Sequence, residues 1–302
     1  MGMIQQFERL EQRAPDGVRT AVWSSLRVPH FVVRRKVVSD YLASHTVRKL
    51  QVGCGGNILN GWLNSDLNPV RSMGVYLANL QEAREASGAA ESARPALRPF
   101  RDVIYLDATK TLPFPNNTFD YVFSEHMIEH IPYQAAMGLI KEIYRVVKPG
   151  GRVRISTPDL SFLINLYTQD KSDLQLRYIT WATDSFLKGT KLPDALSDAD
   201  TFVINNFVRN WGHQFIYDQK TLWNAFAQCG FSEIERCNPG VSVDENLRGI
   251  ESHGRRISDD FNQLESIVVE ALKPAVAQRR SSTTGEVAAQ APVEVASGSS
   301  QL

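Results

Sequence analysis

His126-Met127-Ile128-Glu129-His130 and the isolated His213 are the groups best suited to move a proton in this chain. An imidazole titrates near neutral pH, so His126 or His213 could accept a hydroxyl proton or contact a substrate. Read alone, H-x-x-E-H also fits a zinc motif, two imidazoles on one helical face with a glutamate as base. The sequence places no obvious third ligand beside it, so no metal is expected. A second chemistry is written earlier, in Leu50-Gln51-Val52-Gly53-Cys54-Gly55-Gly56-Asn57. An apolar run there ends in glycines, which turn sharply and let a ligand approach where any Cβ would hold it off. Two carboxylates follow: Asp66 after Gly61-Trp62-Leu63-Asn64-Ser65, and Asp107 after Val103-Ile104-Tyr105-Leu106. A carboxylate closing the second strand can accept hydrogen bonds from both hydroxyls of a ribose, and one closing the third can reach a nucleobase.

These residues need a sheet whose strand ends converge. Strands are expected at 49–53, 62–66, 102–107, 119–124 and 152–157, with two more near 231–237 and 266–272. Ile131, Met137, Ile140, Ile143, Tyr144 and Val147 recur at helical spacing, predicting an amphipathic helix over 131–147. Pro149-Gly150-Gly151 stops it and turns the chain into the fifth strand. The interval from Gly53 to Asp66 is too short for a loop, a full helix and a strand, so that helix shrinks to a turn. Residues 81–98 are rich in Ala and Glu and read as an inserted helix and loop. Residues 160–215 carry many aromatics, among them Tyr178, Trp181, Phe186, Phe207 and Trp211. Tyr217-Asp218 ahead of Thr221-Leu222-Trp223 predicts a capped helix, ended by Gly230-Phe231. His30, His45 and His253 have no comparable context and read as surface residues.

At 302 residues the chain has room for one large domain or two small ones. Lys plus Arg balance Asp plus Glu at 33 each, so no global field draws nucleic acid, and none is expected as a partner. Cys54, Cys229 and Cys237 form neither a metal spacing nor an even disulfide framework, which fits a reducing cytoplasm. The start of the sequence lacks a signal-peptide core, and no apolar run is long enough to span a bilayer. Residues 1–48 read as a helical cap in two pieces, with eight basic residues against four acidic ones. That charge leaves room for a peripheral contact with anionic lipid or a lipid-linked substrate. Residues 275–302 read as a disordered tail, and 49–274 as the domain between.

The ordered set resembles the class I S-adenosylmethionine-dependent methyltransferases, particularly the type 11 methyltransferase domain. It runs from the glycine loop through both aspartates and Phe119-Asp120-Tyr121-Val122-Phe123-Ser124-Glu125-His126 to Lys148-Pro149-Gly150-Gly151. The compact glycine loop is similar to that of a bacterial subgroup associated with surface-glycan biosynthesis. The resemblance implies an α/β fold: a Rossmann-like sheet of about seven strands, the last antiparallel, with a helical N-terminal cap and a helical lid at 160–215. It implies S-adenosyl-L-methionine as cofactor, approached by Gly53, Cys54, Gly55 and Gly56, with Asp66 on the ribose and Asp107 and Ala108 at the adenine. Ser124 and Glu125 would sit near the methionine part, and His213 or His126 would serve the acceptor. The reaction implied is methylation of an oxygen on a sugar, a glycan or another small polar metabolite, with phenols of the quinone type also open. Gln51 and Asn57 depart from the commoner pattern, an acid and a third glycine. They keep two alternatives in view: a non-catalytic protein that binds adenosylmethionine and regulates, and a nicotinamide-dependent oxidoreductase. The second needs a full helix after the loop to hold a pyrophosphate, which the short interval denies it.

Overall fold

The computed structural model describes residue 30 and residues 34–68, 103–168, 170–187, 189 and 199–275. The expected first helical piece, the inserted helix at 81–98 and the tail beyond 275 lie outside the described residues. Within them, 34–44 is helical (α1), the C-terminal part of the expected cap.

Seven strands form one sheet: β1 (Lys49–Val52), β2 (Leu63–Asp66), β3 (Val103–Tyr105), β4 (Phe119–Glu125), β5 (Val147–Pro158), β6 (Ser232–Cys237) and β7 (Ser266–Leu272). Their order is β3-β2-β1-β4-β5-β7-β6. β1 pairs parallel with β2 and β4, β2 with β3, and β4 with β5. β7 runs antiparallel between β5 and β6. The strand order reverses direction between β1 and β4, where the C-terminal ends of two neighbouring strands open a crevice for ligands.

No helix separates β1 from β2; the chain crosses in turns between residues 53 and 61, as the short interval requires. The helix after β4 differs from its expectation. Ile128–His130 is a single 3₁₀ turn, Ile131 is extended (φ −120°, ψ 151°), and α2 begins only at Tyr133, running to Val146. Pro132 is the reason: its ring disfavours helical geometry in the residue before it and suits a helix start. Ala136, Leu139, Ile140 and Ile143 of α2 are buried against the sheet. Pro149-Gly150-Gly151 is absorbed into β5 rather than ending ahead of it. The register with β4 slips between Phe119 and Tyr121, and Gly150 takes φ +81°. A Cβ on Gly151 would stand 2.7 Å from the Asp120 carbonyl oxygen, so this bulge demands glycine.

Among the described residues after β5 come α3 (Leu160–Leu166), α4 (Asp173–Phe186) and α5 (Asp200–Arg209). Asp159 caps α3 through the Ser161 N–H, and Ser172 with Gln175 forms a capping box on α4. Their apolar faces bury Phe162, Leu166, Tyr178, Val203 and Phe207 in a core of their own, separate from that of the sheet. Phe261 joins them from the far side of the sequence. α6 (Gln219–Gln228) returns to the sheet, capped as expected by Asp218 on the Thr221 N–H at 2.7 Å. Two short helices, α7 (Gly254–Ile257) and α8 (Asp259–Glu265), lead into β7.

Candidate active site

β1 delivers the chain into Gly53 (φ +71°) and Gly55 (φ +50°), both in the left-handed region that favours glycine. A Cβ on Gly53 would lie 2.3 Å from Met127 Cγ, so the loop passes too close to the β4 end for any side chain. The Asn57 N–H donates to the Cys54 carbonyl at 2.8 Å, closing the turn. Asp66, at the end of β2, accepts the Gly55 N–H at 2.9 Å with Oδ2 and the Asn68 N–H at 2.8 Å with Oδ1. Across the loop stands Glu125. Its Oε1 accepts the N–H groups of Ser252 and His253, each at 2.8 Å, and its Oε2 the Ser252 hydroxyl at 3.1 Å and the Asn57 amide at 3.2 Å. On the Glu125 side lies a cavity of about 100 Å³, lined by Gly53 to Asn57, Glu125, His126, Ser252, His253 and Arg256; Asp66 is not among the residues that line it.

Gly53, Cys54, Gly55, Gly56, Glu125 and His126 are thus brought together. Ser124 is placed differently: fully buried, its hydroxyl donates to the Val52 carbonyl at 2.9 Å and faces the sheet interior. Asp107, just past β3, accepts the Thr109 N–H at 3.0 Å and hydroxyl at 2.7 Å, an Asx turn. It and Ala108 stay out of the small cavity. They reach the Asp66 side of the crevice through β3, where the Leu106 N–H donates to the Asp66 carbonyl at 3.0 Å.

A larger cavity of about 480 Å³ abuts the first and shares His126, His253 and Arg256 with it. Its walls are aromatic: Tyr178, Trp181 and Phe186 from α4, Phe207 from α5, and Trp211 just beyond it. Its polar side is formed by Glu129, His130, His213 and Glu265. His126 is a left-handed residue (φ +45°), strained for a side chain with a Cβ, and projects between the two cavities. Its Nε2 lies 3.0 Å from the Ser266 hydroxyl and its ring stacks on His253 at 3.8 Å. His253 Nε2 in turn meets Glu265 Oε1 at 2.7 Å, and the Tyr178 hydroxyl donates to Glu265 Oε2 at 2.5 Å.

His253 is therefore a site residue and not the surface residue expected. It comes with α7 and α8, which dock beside the β4 end only because β7 inserts next to β5; nothing in local spacing announces that. His30 is also buried, 5.7 Å from the Tyr105 ring between centroids, contrary to its expected exposure.

His213 and the Glu129-His130 pair meet at the wall of the larger cavity, beside His126. The Gln214 and Phe215 N–H groups donate to the Glu129 carbonyl at 2.7 and 3.2 Å, and the Gln214 amide donates to the His130 carbonyl at 2.9 Å. His213 Nδ1 lies 2.6 Å from the Phe207 carbonyl oxygen. A carbonyl can only accept, so the proton sits on Nδ1 and the lone pair on Nε2. The Glu129 side chain is fully buried, with Oε2 accepting the Thr157 hydroxyl at 3.1 Å. Its Oε1 stands 3.5 Å from His126 Nδ1 and 3.7 Å from His130 Nε2. Burial alone would raise the Glu129 pKa, but the flanking His126 and His130 outweigh it and hold the carboxyl below its ordinary value. Burial likewise opposes charge on His126, yet Glu129, Glu265 and Glu125 together raise its pKa. At His213 burial wins and lowers it. H-x-x-E-H is thus no single helical face here, since His126 precedes the 3₁₀ turn that carries Glu129 and His130.

The strand order with its antiparallel seventh strand is the Rossmann-like fold of the class I methyltransferases, enzymes that use S-adenosylmethionine. Residues 50–155 match the family described as "Methyltransferase domain", the stretch from β1 through the main part of β5. Among curated proteins, a demethylmenaquinone methyltransferase of a Geobacillus species is 46% identical over 59 residues, 18% of this chain and 24% of that protein. The ubiquinone biosynthesis O-methyltransferase of Pseudomonas paraeruginosa is 29% identical over 148 residues, 49% of this chain and 59% of its own length. The chain thus spans from about a quarter to three fifths of these two relatives. A solved structure, phosphoethanolamine N-methyltransferase 2 of Haemonchus contortus with S-adenosyl-L-methionine, aligns at a TM-score of 0.38 and 18% identity, over 76% of this chain and 49% of that one.

Proposed function

We propose that this chain transfers a methyl group from S-adenosylmethionine to an oxygen of a small hydroxylated acceptor held in the 480 Å³ cavity. One observation carries the reading: a glycine-loop cavity and an aromatic cavity meet at His126 and His253. The smaller one has the size of an amino-acid moiety and is lined by backbone that glycines leave open, so the residues present suit the methionine end. Arg256, whose guanidinium lies 3.1 Å from where a Gly56 Cβ would be, is placed to meet that moiety's carboxylate. Asp66 would take the ribose hydroxyls, and Asp107 with the Ala108 backbone would take the adenine. The bound cofactor supplies a methyl group already activated on a sulfonium.

What remains for the chain is to align the acceptor, exclude water and receive one proton. The aromatic walls do the first two. His213 does the third: its Nε2 lone pair takes the acceptor proton as the O–CH₃ bond forms, while the S–CH₃ electron pair leaves on a neutral thioether. His126, held by Ser266 and stacked on His253, orients the acceptor between the cavities.

A sugar or glycan suits the aromatic walls, which stack on the apolar faces of pyranose rings. A phenol of the quinone type is the second reading, supported by the same aromatic walls and by the names of the two relatives. Labelled S-adenosylmethionine supplied with sugars, glycans and hydroquinones in separate reactions tests both. Label in an acceptor oxygen supports the proposal and selects the class; label in none of them, from protein that binds the cofactor, would favour the non-catalytic regulatory reading.

A further inference from the structure

Glu129 presents a problem that proton transfer alone does not solve. Its side chain is fully buried at the wall of the larger cavity, and its Oε1 has no hydrogen-bond partner. A buried carboxylate oxygen without a partner is costly, and the imidazoles at 3.5 and 3.7 Å are too far to supply a good hydrogen bond. Glu129, His130 and His213 each offer a ligand atom here, all within 4.8 Å of one another. Two ligands about 2.1 Å from one ion stand roughly 3.0 to 3.5 Å apart, so the 3.7 Å Glu129–His130 pair is near ligating distance and His213, within 4.8 Å of both, closes the remainder on binding.

The supporting bonds point the same way. His213 donates a hydrogen bond from its Nδ1–H to the Phe207 carbonyl, which leaves the lone pair on Nε2, the usual arrangement behind a metal-bound imidazole. Thr157 holds Glu129 by Oε2 and leaves Oε1 available. Three protein ligands, two imidazoles and a carboxylate, leave coordination positions open toward the cavity.

We infer that Glu129, His130 and His213 bind one divalent transition-metal ion of the zinc or iron(II) type on the acceptor side of the larger cavity. Its role rests on the methyl-transfer reading and replaces the His213 base given there with a metal-assisted one, whereas its binding rests on neither. With the ion in place His213 is a ligand rather than the proton acceptor. The ion acidifies an acceptor hydroxyl that reaches it, and the proton passes to solvent.

Cobalt(II) reports the site by its visible absorption. The full chain, stripped with a chelator, is titrated with cobalt(II) and then with zinc(II) in competition, with no cofactor or acceptor present. The expected result is one ion per chain, with binding weakened more than about 100-fold in His213→Ala and His130→Ala and retained in His253→Ala. Glu129→Gln, which preserves size and the Thr157 contact, should lose the ion with the fold intact by circular dichroism. Absence of saturable binding would overturn the inference. So would binding that survives His213→Ala and His130→Ala, or that is lost in His253→Ala and retained in those two, which would place the ion at His126, His253 and Glu265.

Discussion

At the scale of single residues, the site divides into groups that bind and groups that react, and the two should separate in measurement. Asp66→Ala removes a carboxylate proposed to hold two ribose hydroxyls. The affinity for S-adenosylhomocysteine should fall by about 1 to 3 kcal/mol in a folded protein; unchanged affinity would remove Asp66 from the cofactor site. His213→Ala should do the reverse, leaving that affinity as it is and lowering kcat by about 10²- to 10⁴-fold. A variant that loses affinity and rate in parallel would contradict the separation of the cavities. The glycine loop was legible in the sequence because its chemistry is backbone chemistry: Gly53 and Gly55 advertise the left-handed turn they make. His253 and Glu265 were not legible. Each is ordinary in its own segment and becomes a site residue only through His126, more than a hundred positions away.

At the scale of elements, buried charge ties the loop over the small cavity to the sheet. Arg154, fully buried on β5, reaches Glu251, the Glu270 carboxylate on β7 and the Val241 and Asn238 carbonyls. Glu251 Oε2 accepts the Gly240 N–H at 3.1 Å, and the next two residues supply the N–H groups that cap Glu125. Arg154→Met leaves two carboxylates buried without their cation and should cost about 3 to 5 kcal/mol in urea unfolding. The same variant should weaken binding of S-adenosylhomocysteine, because the 238–253 segment loses its anchor; unaltered stability would contradict the anchoring role of Arg154. The cap of α6 makes a gentler test. Asp218→Ala should cost about 1 kcal/mol at neutral pH. Hydrogen bonds from Thr221 lower the Asp218 pKa, so its contribution is complete above the ordinary aspartate value of about 3.9 and disappears as pH falls through the lower folded value. Melting temperatures of wild type and variant should therefore converge in acid; a constant gap would assign the loss to packing. Elements whose ends carry local signals, such as this cap, were legible. The start of α2 was misplaced because apolar spacing at Ile131 continues through Pro132, and periodicity does not register a proline's steric demand.

At the scale of the whole molecule, strand order decides what the local features can do. Placing β1 beside β4 sets the glycine loop against Glu125, and inserting β7 beside β5 brings the α7–α8 segment over both. The alternation of strand and helix made the sheet legible from sequence, because each strand announces itself by an apolar run. The aromatic segment after β5 gave its composition and not its arrangement: its helices bury their own core, yet Trp181, Phe186 and, just past the last helix, Trp211 line the cavity. The described helices include none long and apolar enough to cross a membrane. The central claim is that the crevice between β1 and β4 takes S-adenosylmethionine. Calorimetric titration of the full chain with S-adenosylhomocysteine, with NAD run in parallel, tests it most directly. Saturable binding of S-adenosylhomocysteine at one site per chain, and none of NAD, is the expected result. Binding of NAD alone, or of neither, would contradict it.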